Sequence, residues 1–190
     1  MASTHTLGQK VRSIRESRSM TGEQLAERAD LAPELVAQIE SGSLIPSLSP
    51  LIRIARALGV RLGTFLDDVN HVGPVVSRVG EHERVVRFSG RERPSDSDLD
   101  FFSLAANKAG RHMEPFLVDI HPLSARSAQQ SAHEGEEFIY VLSGEVEVNH
   151  GTDLYRLKAG DSIYYDSIVP HHVHSAGDQE ARVVAVVYAP

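Results

Sequence analysis

The stretch HEGEEFIYVLSG, residues 133–144, sets an imidazole and a carboxylate four positions apart, at His133 and Glu137, and leads into an almost unbroken apolar run. Neither group enters an apolar interior without a partner, because uncompensated charge there is costly. A strand's period of two sends both side chains to one face, and a bent strand start at Gly135 lets them converge on one ion. A third donor must then come from another strand. SIVPHHVHS offers His171, His172 and His174. Two imidazoles and a carboxylate form a divalent-cation set with open positions. The metal-free alternative is a His133–Glu137 hydrogen bond inside the core, with the downstream histidine closing a hairpin.

Such a set needs a rigid β-framework. From Leu99 onward the sequence reads as short strands: LDFFSLA, PFLVDIH, EFIYVLSG, EVEVNH, DLYRLK, DSIYYD, HVHS and ARVVAVVYA, with Gly144, Gly151, Gly160 and Gly177 at hairpin-like spacing. With no helix between them, they predict an antiparallel barrel or sandwich. Ile139 and Val141 share the parity of Glu137, while Phe138, Tyr140 and Leu142 form the opposite row, so one row faces inward and the other meets a second sheet or subunit. Tyr164, Tyr165 and Tyr188 read as wall or dimer residues. Gln129, Gln130 and Ser131 precede the motif and suit a cavity mouth. Arg111 and His112 suit an anionic ligand or a surface ion pair.

The front of the chain follows a different period. Leu7, Val11 and Ile14 form one helical stripe; Thr21 with Gln24 makes a capping box for a second helix. Pro33 opens a third helix that Gly42 ends, Ser49-Pro50 opens a fourth that ends at Gly59, and Leu62, Phe65 and Leu66 close the bundle. The organisation expected is a helical domain at 1–68, a linker with β-capable pieces at 69–98, and a β-domain at 99–190. Within the linker, GRERPSDSD reads as an exposed turn-rich connection.

The bulk properties narrow the classes. The 190 residues contain no cysteine, which removes disulfides and thiolate chemistry and suits a reducing cytoplasm. No apolar run is long enough to span a bilayer, and the N-terminus lacks a signal-peptide apolar region. Residues 1–66 hold eight Lys/Arg against six Asp/Glu, whereas the remainder, out of totals of 19 and 26, is strongly acidic. The front third therefore tolerates a polyanion better than the rest, although a surplus of two basic residues is weak evidence for nucleic-acid binding.

The segment QLAERADLAPELVAQIESG, followed by PSLSPLIRIARALGV, resembles the Cro/repressor-type (XRE) helix-turn-helix family, with helix lengths and turn positions in agreement. The resemblance implies a recognition helix at about 32–41, with Pro33, Glu34 and Gln38 near base edges and Thr21 and Ser43 on backbone phosphates. Gln38 would read an adenine edge. Arg12, Arg15 and Arg18 would add positive field, and Glu40 would hold the helix against its neighbour.

HEGEEFIYVLSG resembles the first cupin motif from its second histidine onward, and GDSIYYDSIVPHHVHS resembles the second. The resemblance implies a cupin (double-stranded β-helix) barrel whose metal ligands are His133, Glu137 and His171, with Ser131 in place of the first histidine. Iron, zinc, manganese and nickel all suit this set. Gln129, Ser131, Ile139 and Val141 would contact a small ligand.

The combined arrangement resembles a homodimeric DNA-binding regulator whose cupin senses a small molecule, with double-stranded operator DNA as its partner. On this reading a binding role outranks catalysis. The alternative is a mononuclear non-haem iron oxygenase or oxidase, because the same two modules occur in the hydroxypropylphosphonate epoxidase family. There the helical domain lends a lysine and a strand lends a tyrosine. This chain has Ser19 or Arg18 at the first place, and only Phe101 and Phe102 in the second. No Walker phosphate loop, dinucleotide fingerprint or Ser-His-Asp triad is present.

Overall fold

A computed structural model describes residues 7–66, 73–80, 84–88, 99–106, 108, 110–122 and 130–190. The chain divides into two compact units, one formed by Met1–Val75 with Ala106–Gly110, the other by Val76–Ala105 with Arg111–Pro190. The turn-rich stretch at 90–98 and Gln129 lie outside the described residues.

The first unit is helical: α1 (Leu7–Ser17), α2 (Gly22–Ala29), α3 (Pro33–Ser41), α4 (Leu48–Ala57) and α5 (Gly63–Leu66). The starts of α2 and α3 have local causes. Thr21 accepts from the Gln24 amide while the Gln24 side chain returns to the Thr21 amide, so two orphan N–H groups at the α2 start are satisfied reciprocally. Pro33 stands at the first turn of α3, where its missing N–H costs nothing. The apolar stripes bury Val11, Leu25, Val36, Ile39, Leu51, Ile54, Leu58 and Phe65 in a shared core. Beside that core, the Arg15 guanidinium grips the Glu40 carboxylate with two bonds of 2.6 and 2.8 Å, tying α1 to α3. Arg15 is therefore consumed by packing, and its charge is neutralised within the unit. Arg12 pairs with Glu16 on the surface.

Among the described residues the second unit holds nine strands: β1 (Arg84–Phe88), β2 (Leu99–Ser103), β3 (Met113–Ile120), β4 (Glu136–Ser143), β5 (Glu145–His150), β6 (Asp153–Lys158), β7 (Ser162–Asp166), β8 (His171–Ser175) and β9 (Ala181–Tyr188). They form a six-stranded sheet, ordered β1-β2-β3-β9-β4-β7, and a three-stranded sheet, ordered β6-β5-β8. Adjacent strands run antiparallel. Strand β1 comes from the ERVVRF piece of the segment read as a linker, and it pairs with β2.

The closed barrel expected from sequence is corrected here. Neither sheet closes on itself: the six-stranded sheet ends at β1 and β7, the three-stranded one at β6 and β8. Closure requires a hydrogen-bonded ladder running round the whole circuit. Among the described residues, the connection to β8 outside the named strands is an isolated bridge between Ser131 and His171. Strand alternation nevertheless builds a common interior. Phe116, Val118 and Ile120 on β3, Ile139 and Val141 on β4, Val183, Ala185 and Val187 on β9, and Val146 and Val148 on β5 are all buried. On β4 the opposite row behaves differently: Tyr140 and Leu142 are exposed and Phe138 is half-buried.

Two glycines in the helical unit make contrasting predictions. A Cβ at Gly8 would lie 2.2 Å from the Ile39 carbonyl oxygen, whereas a Cβ at Gly22 meets nothing within 4 Å. Gly8→Ala is expected to destabilise the unit by about 1–3 kcal/mol through overpacking of α1 against α3. Gly22→Ala is expected to be neutral or to stabilise by up to about 1 kcal/mol. Urea unfolding followed by circular dichroism separates the two; equal midpoints would refute the close helix contact.

Candidate metal centre

Three elements deliver the central side chains. Glu137 is the second residue of β4, His171 the first of β8, and His133 stands just before β4. The approach to β4 bends at Gly135, whose φ is +110°, and a Cβ there would sit 1.9 Å from the Tyr188 carbonyl oxygen. Only glycine fits that close crossing. The bend carries His133 back over Glu137. Backbone bonds hold it: the His133 amide donates to Ser167 O at 3.0 Å, and the Ser131 and His171 amides exchange bonds of 2.7 and 2.9 Å.

The three groups converge. His133 Nε2 lies 2.8 Å from Glu137 Oε1, and His171 Nε2 lies 3.3 Å from the same oxygen. One ligand atom from each falls within 4.8 Å of the others. All are inside, with 4%, 7% and 3% of their surfaces exposed for His133, Glu137 and His171. The remaining carboxylate oxygen, Oε2, accepts a 2.8 Å hydrogen bond from the Tyr165 hydroxyl. A hydrogen bond to an ionised group stabilises by about 1.5–3 kcal/mol. Tyr165 lies directly across from Glu137 in the β4–β7 ladder, and its ring packs against His171 and His150 with centroids 5.0 and 5.1 Å away.

The outer ring nitrogens explain what the cluster is built to hold. His133 Nδ1 faces the Glu134 carbonyl at 3.1 Å and His171 Nδ1 faces the Val169 carbonyl at 2.9 Å. A carbonyl only accepts, so each Nδ1 must carry its proton, which leaves each Nε2 lone pair aimed at the Glu137 oxygen. Without a metal, both Nε2 atoms need a second proton to approach that oxygen favourably. One divalent cation replaces those two protons at the same net charge. The donor set thus fits a divalent metal, which His133, Glu137 and His171 would hold, with the backbone carbonyls orienting the rings from behind.

The electrostatics agree. Burial alone would raise the Glu137 carboxyl, but hydrogen bonds and charge from His133 and His171 outweigh it and hold the group well below the usual carboxylate range. Burial works to lower His171, yet the Glu137 carboxylate prevails and raises it. Burial first, and then the Glu137 charge, push the Tyr165 phenol up, so it remains a donor across the accessible pH range.

The other residues singled out from sequence fall in different places. Ser131 is half-buried and bridges His171 through its backbone; Ile139 and Val141 are buried on the Glu137 face of β4. Gln130 is exposed. His172 and His174 stack on each other with centroids 5.0 Å apart, away from the triad, and His174 Nε2 faces Glu147 at 3.2 Å. Arg111 makes a buried 2.7 Å ion pair with Glu114, while His112 is exposed. In the helical unit Thr21, Pro33, Glu34, Gln38 and Ser43 are all exposed. Thr21 is engaged as a cap, and the Ser43 hydroxyl donates to Gln38 O at 3.2 Å. Sequence reasoning missed Tyr165 as a partner of Glu137. Alternation separates it from Tyr164, but the residues themselves do not say which of the two turns inward.

The cluster makes its own pH prediction for metal-free protein. Glu137, lowered on folding, contributes stability above its ordinary value of 4.5, and this is lost as pH falls through the lower folded value. His171, raised on folding, contributes below its ordinary value of 6.5, and this is lost as pH rises through the higher folded value. In the presence of chelator the melting temperature is therefore expected to fall as pH rises above about 6.5, a loss that saturating Mn(II) removes. Parallel profiles with and without metal between pH 6 and 9 would contradict it.

Comparison with known proteins follows the same division. The helix-turn-helix family HTH_3 matches residues 11–65 and the cupin domain family Cupin_2 matches residues 116–187. The (S)-2-hydroxypropylphosphonic acid epoxidase of Streptomyces wedmorensis is 28% identical over 183 residues, 90% of each chain. The HTH-type transcriptional regulator PuuR of Escherichia coli K12 is 20% identical over 178 residues, 94% of this chain and 92% of that one. Among solved structures, Fe(II)-HppE with the alternative substrate (S)-1-HPP aligns with a TM-score of 0.52 at 26% identity, covering 96% of both chains. An HTH_3 family transcriptional regulator from Vibrio cholerae reaches 0.69 at 20% identity, covering 97% of this chain and 95% of that one, a likeness of fold alone. The expectation that binding outranks catalysis is corrected by these findings. A buried His-Glu-His donor set coincides with likeness across nearly the whole chain to an Fe(II) enzyme, which favours enzymatic activity. The chain joins an N-terminal, XRE-like helix-turn-helix domain to a C-terminal cupin domain, an arrangement it shares with both regulators and the epoxidase.

Proposed function

We propose that this chain is a mononuclear non-haem Fe(II)-dependent oxidoreductase acting on a small metabolite. The observation that carries the reading is the meeting of His133, Glu137 and His171 in one buried site. Fe(II) held there supplies redox chemistry and open coordination positions. The protein supplies the rest. The two imidazoles and the carboxylate fix the metal, and Ser131, standing where cupins carry a further histidine, leaves room for a substrate group. Ile139 and Val141 line the Glu137 face with apolar surface and keep water from it.

The reading extends to the reaction class and stops short of epoxidation. Where the epoxidase resemblance calls for a tyrosine, Phe101 is buried edge-on to Phe116 at 5.5 Å and offers no hydroxyl. Where it calls for a lysine, Ser19 occupies an exposed turn and Arg18 an exposed position. A substrate oriented by different contacts, and so a different small molecule, is the consistent choice.

A second reading, regulation through DNA, has its own support. HTH-type regulators match nearly the full chain, and α3 presents Pro33, Glu34 and Gln38 to solvent with Thr21 and Ser43 nearby in sequence. Two such helices in a homodimer would address two half-sites, with the cupin's small-molecule ligand as effector. In the described residues no helix is long and apolar enough to cross a membrane.

Anaerobic reconstitution followed by oxygen-electrode assays with metabolite fractions tests the first reading. Iron is expected to bind at one equivalent per chain and to support substrate-dependent oxygen uptake. His133→Ala and His171→Ala should weaken metal binding by at least about 10-fold, the lower range seen even for outer-shell losses. Stoichiometric iron with no oxygen uptake across the fractions would defeat the enzyme reading. Selection of binding sites from random DNA tests the second: Gln38→Ala should cost about 1–3 kcal/mol at its base position, and the absence of any selected sequence would remove it.

A further inference from the structure

The two oxygens of Glu137 have different work. Oε1 faces both imidazole Nε2 atoms, at 2.8 and 3.3 Å, whereas Oε2 is held by the Tyr165 hydroxyl at 2.8 Å. We propose that Tyr165 is a positioning residue that keeps Glu137 a one-oxygen ligand, so that an additional coordination position stays open for substrate. The inference rests on the metal-centre reading above and deepens it.

The geometry makes the restraint firm. Tyr165 stands directly opposite Glu137 in the β4–β7 ladder, so the two side chains leave the sheet on the same face. Its ring is wedged between His150 and His171, it is buried, and it lies in a strand whose backbone is paired along its length with β4. The phenol is a donor held in place by packing, and a carboxylate oxygen already accepting such a bond has one less lone pair to offer a metal. Release of that bond frees Oε2 to swing toward the ion, giving a chelating carboxylate and one fewer position for anything else. The neighbouring residue provides an internal comparison. Tyr164 donates to Glu136 in the same way, but on the outer face, where it is exposed. The pair at 164 and 136 has the same chemistry with no metal-facing partner.

The test uses full-length protein loaded with Mn(II) alone, reading the number of exchangeable coordinated waters from line broadening of the electron paramagnetic resonance spectrum in ¹⁷O-water. Tyr165→Phe keeps the ring and removes the hydroxyl. It is expected to lose one exchangeable water relative to wild type, while Tyr164→Phe keeps the wild-type number. An unchanged water count in Tyr165→Phe, with Mn(II) bound, would overturn the role assigned to Tyr165 and leave the metal centre standing. Failure of the wild-type protein to bind Mn(II), Fe(II) or Co(II) would overturn the centre and this proposal together. A measurement free of any variant guards against a misfolded mutant. Infrared difference spectra of metal-loaded minus metal-free wild type should show the wide carboxylate splitting of one-oxygen ligation, and the narrow splitting of a chelate would refute the proposal.

Discussion

The cost of an ionised carboxylate away from water governs the β-unit. Glu137 is buried, and each of its oxygens must therefore be matched by donors or by a cation. His133 and His171 meet one oxygen and Tyr165 the other. These partners come from the segment before β4, from β8 and from β7. Satisfying one group thus fixes the bend at Gly135, the register of β7 on β4, and the approach of the three-stranded sheet to the six-stranded one. A cluster that specifies so many relations costs stability unless every member is paired. Here each ring nitrogen of the two triad histidines has a partner, including the two backbone carbonyls behind the imidazoles.

The helical unit is organised by a different compromise. Helix α3 carries no Lys or Arg, and Arg15 on α1 is locked to Glu40. Helix α3 offers Pro33, Glu34, Ala37, Gln38 and Ser41 to solvent, with one carboxylate and one amide among them. Phosphate attraction, which dominates nucleic-acid affinity, would have to come from elsewhere on the unit if it bound DNA. This weak basic character is consistent with a fold that serves regulators and, in the epoxidase, an enzyme. The same helical scaffold carries no function by itself. The specific chemistry lies in the buried donor set, which is why the catalytic reading leads.

Much of the site was readable from residues 133–174 because metal ligation demands particular side chains at particular spacings. Strand alternation puts His133 and Glu137 on one face, whereas the residues alone leave His171, His172 and His174 open, and the choice of His171 comes from the cupin resemblance counted from Gly160. The helices were similarly readable: the Thr21–Gln24 capping box, Pro33 and Gly42 are local devices whose effect does not depend on distant contacts. Tyr165 was not readable as a partner of Glu137. Tyr164 and Tyr165 are chemically identical, and only strand register decides that one meets Glu137 inside while the other meets Glu136 outside. The role of Arg15 was hidden for the same reason, since its partner lies 25 positions away.

The amino-acid sequence by itself determined the two periods of the chain and the starts of α2 and α3, because each follows from interactions among near neighbours, and it offered the candidate ligands by residue type. Only the tertiary structure decided that the strands form two open sheets without closing a circuit, that Tyr165 takes the second oxygen of Glu137, and that Arg15 is spent on Glu40. Those outcomes depend on which edges pair and which faces turn inward. Hydrogen bonds between distant strands and the burial of whole rows of side chains set that choice collectively, and no single stretch of residues encodes it.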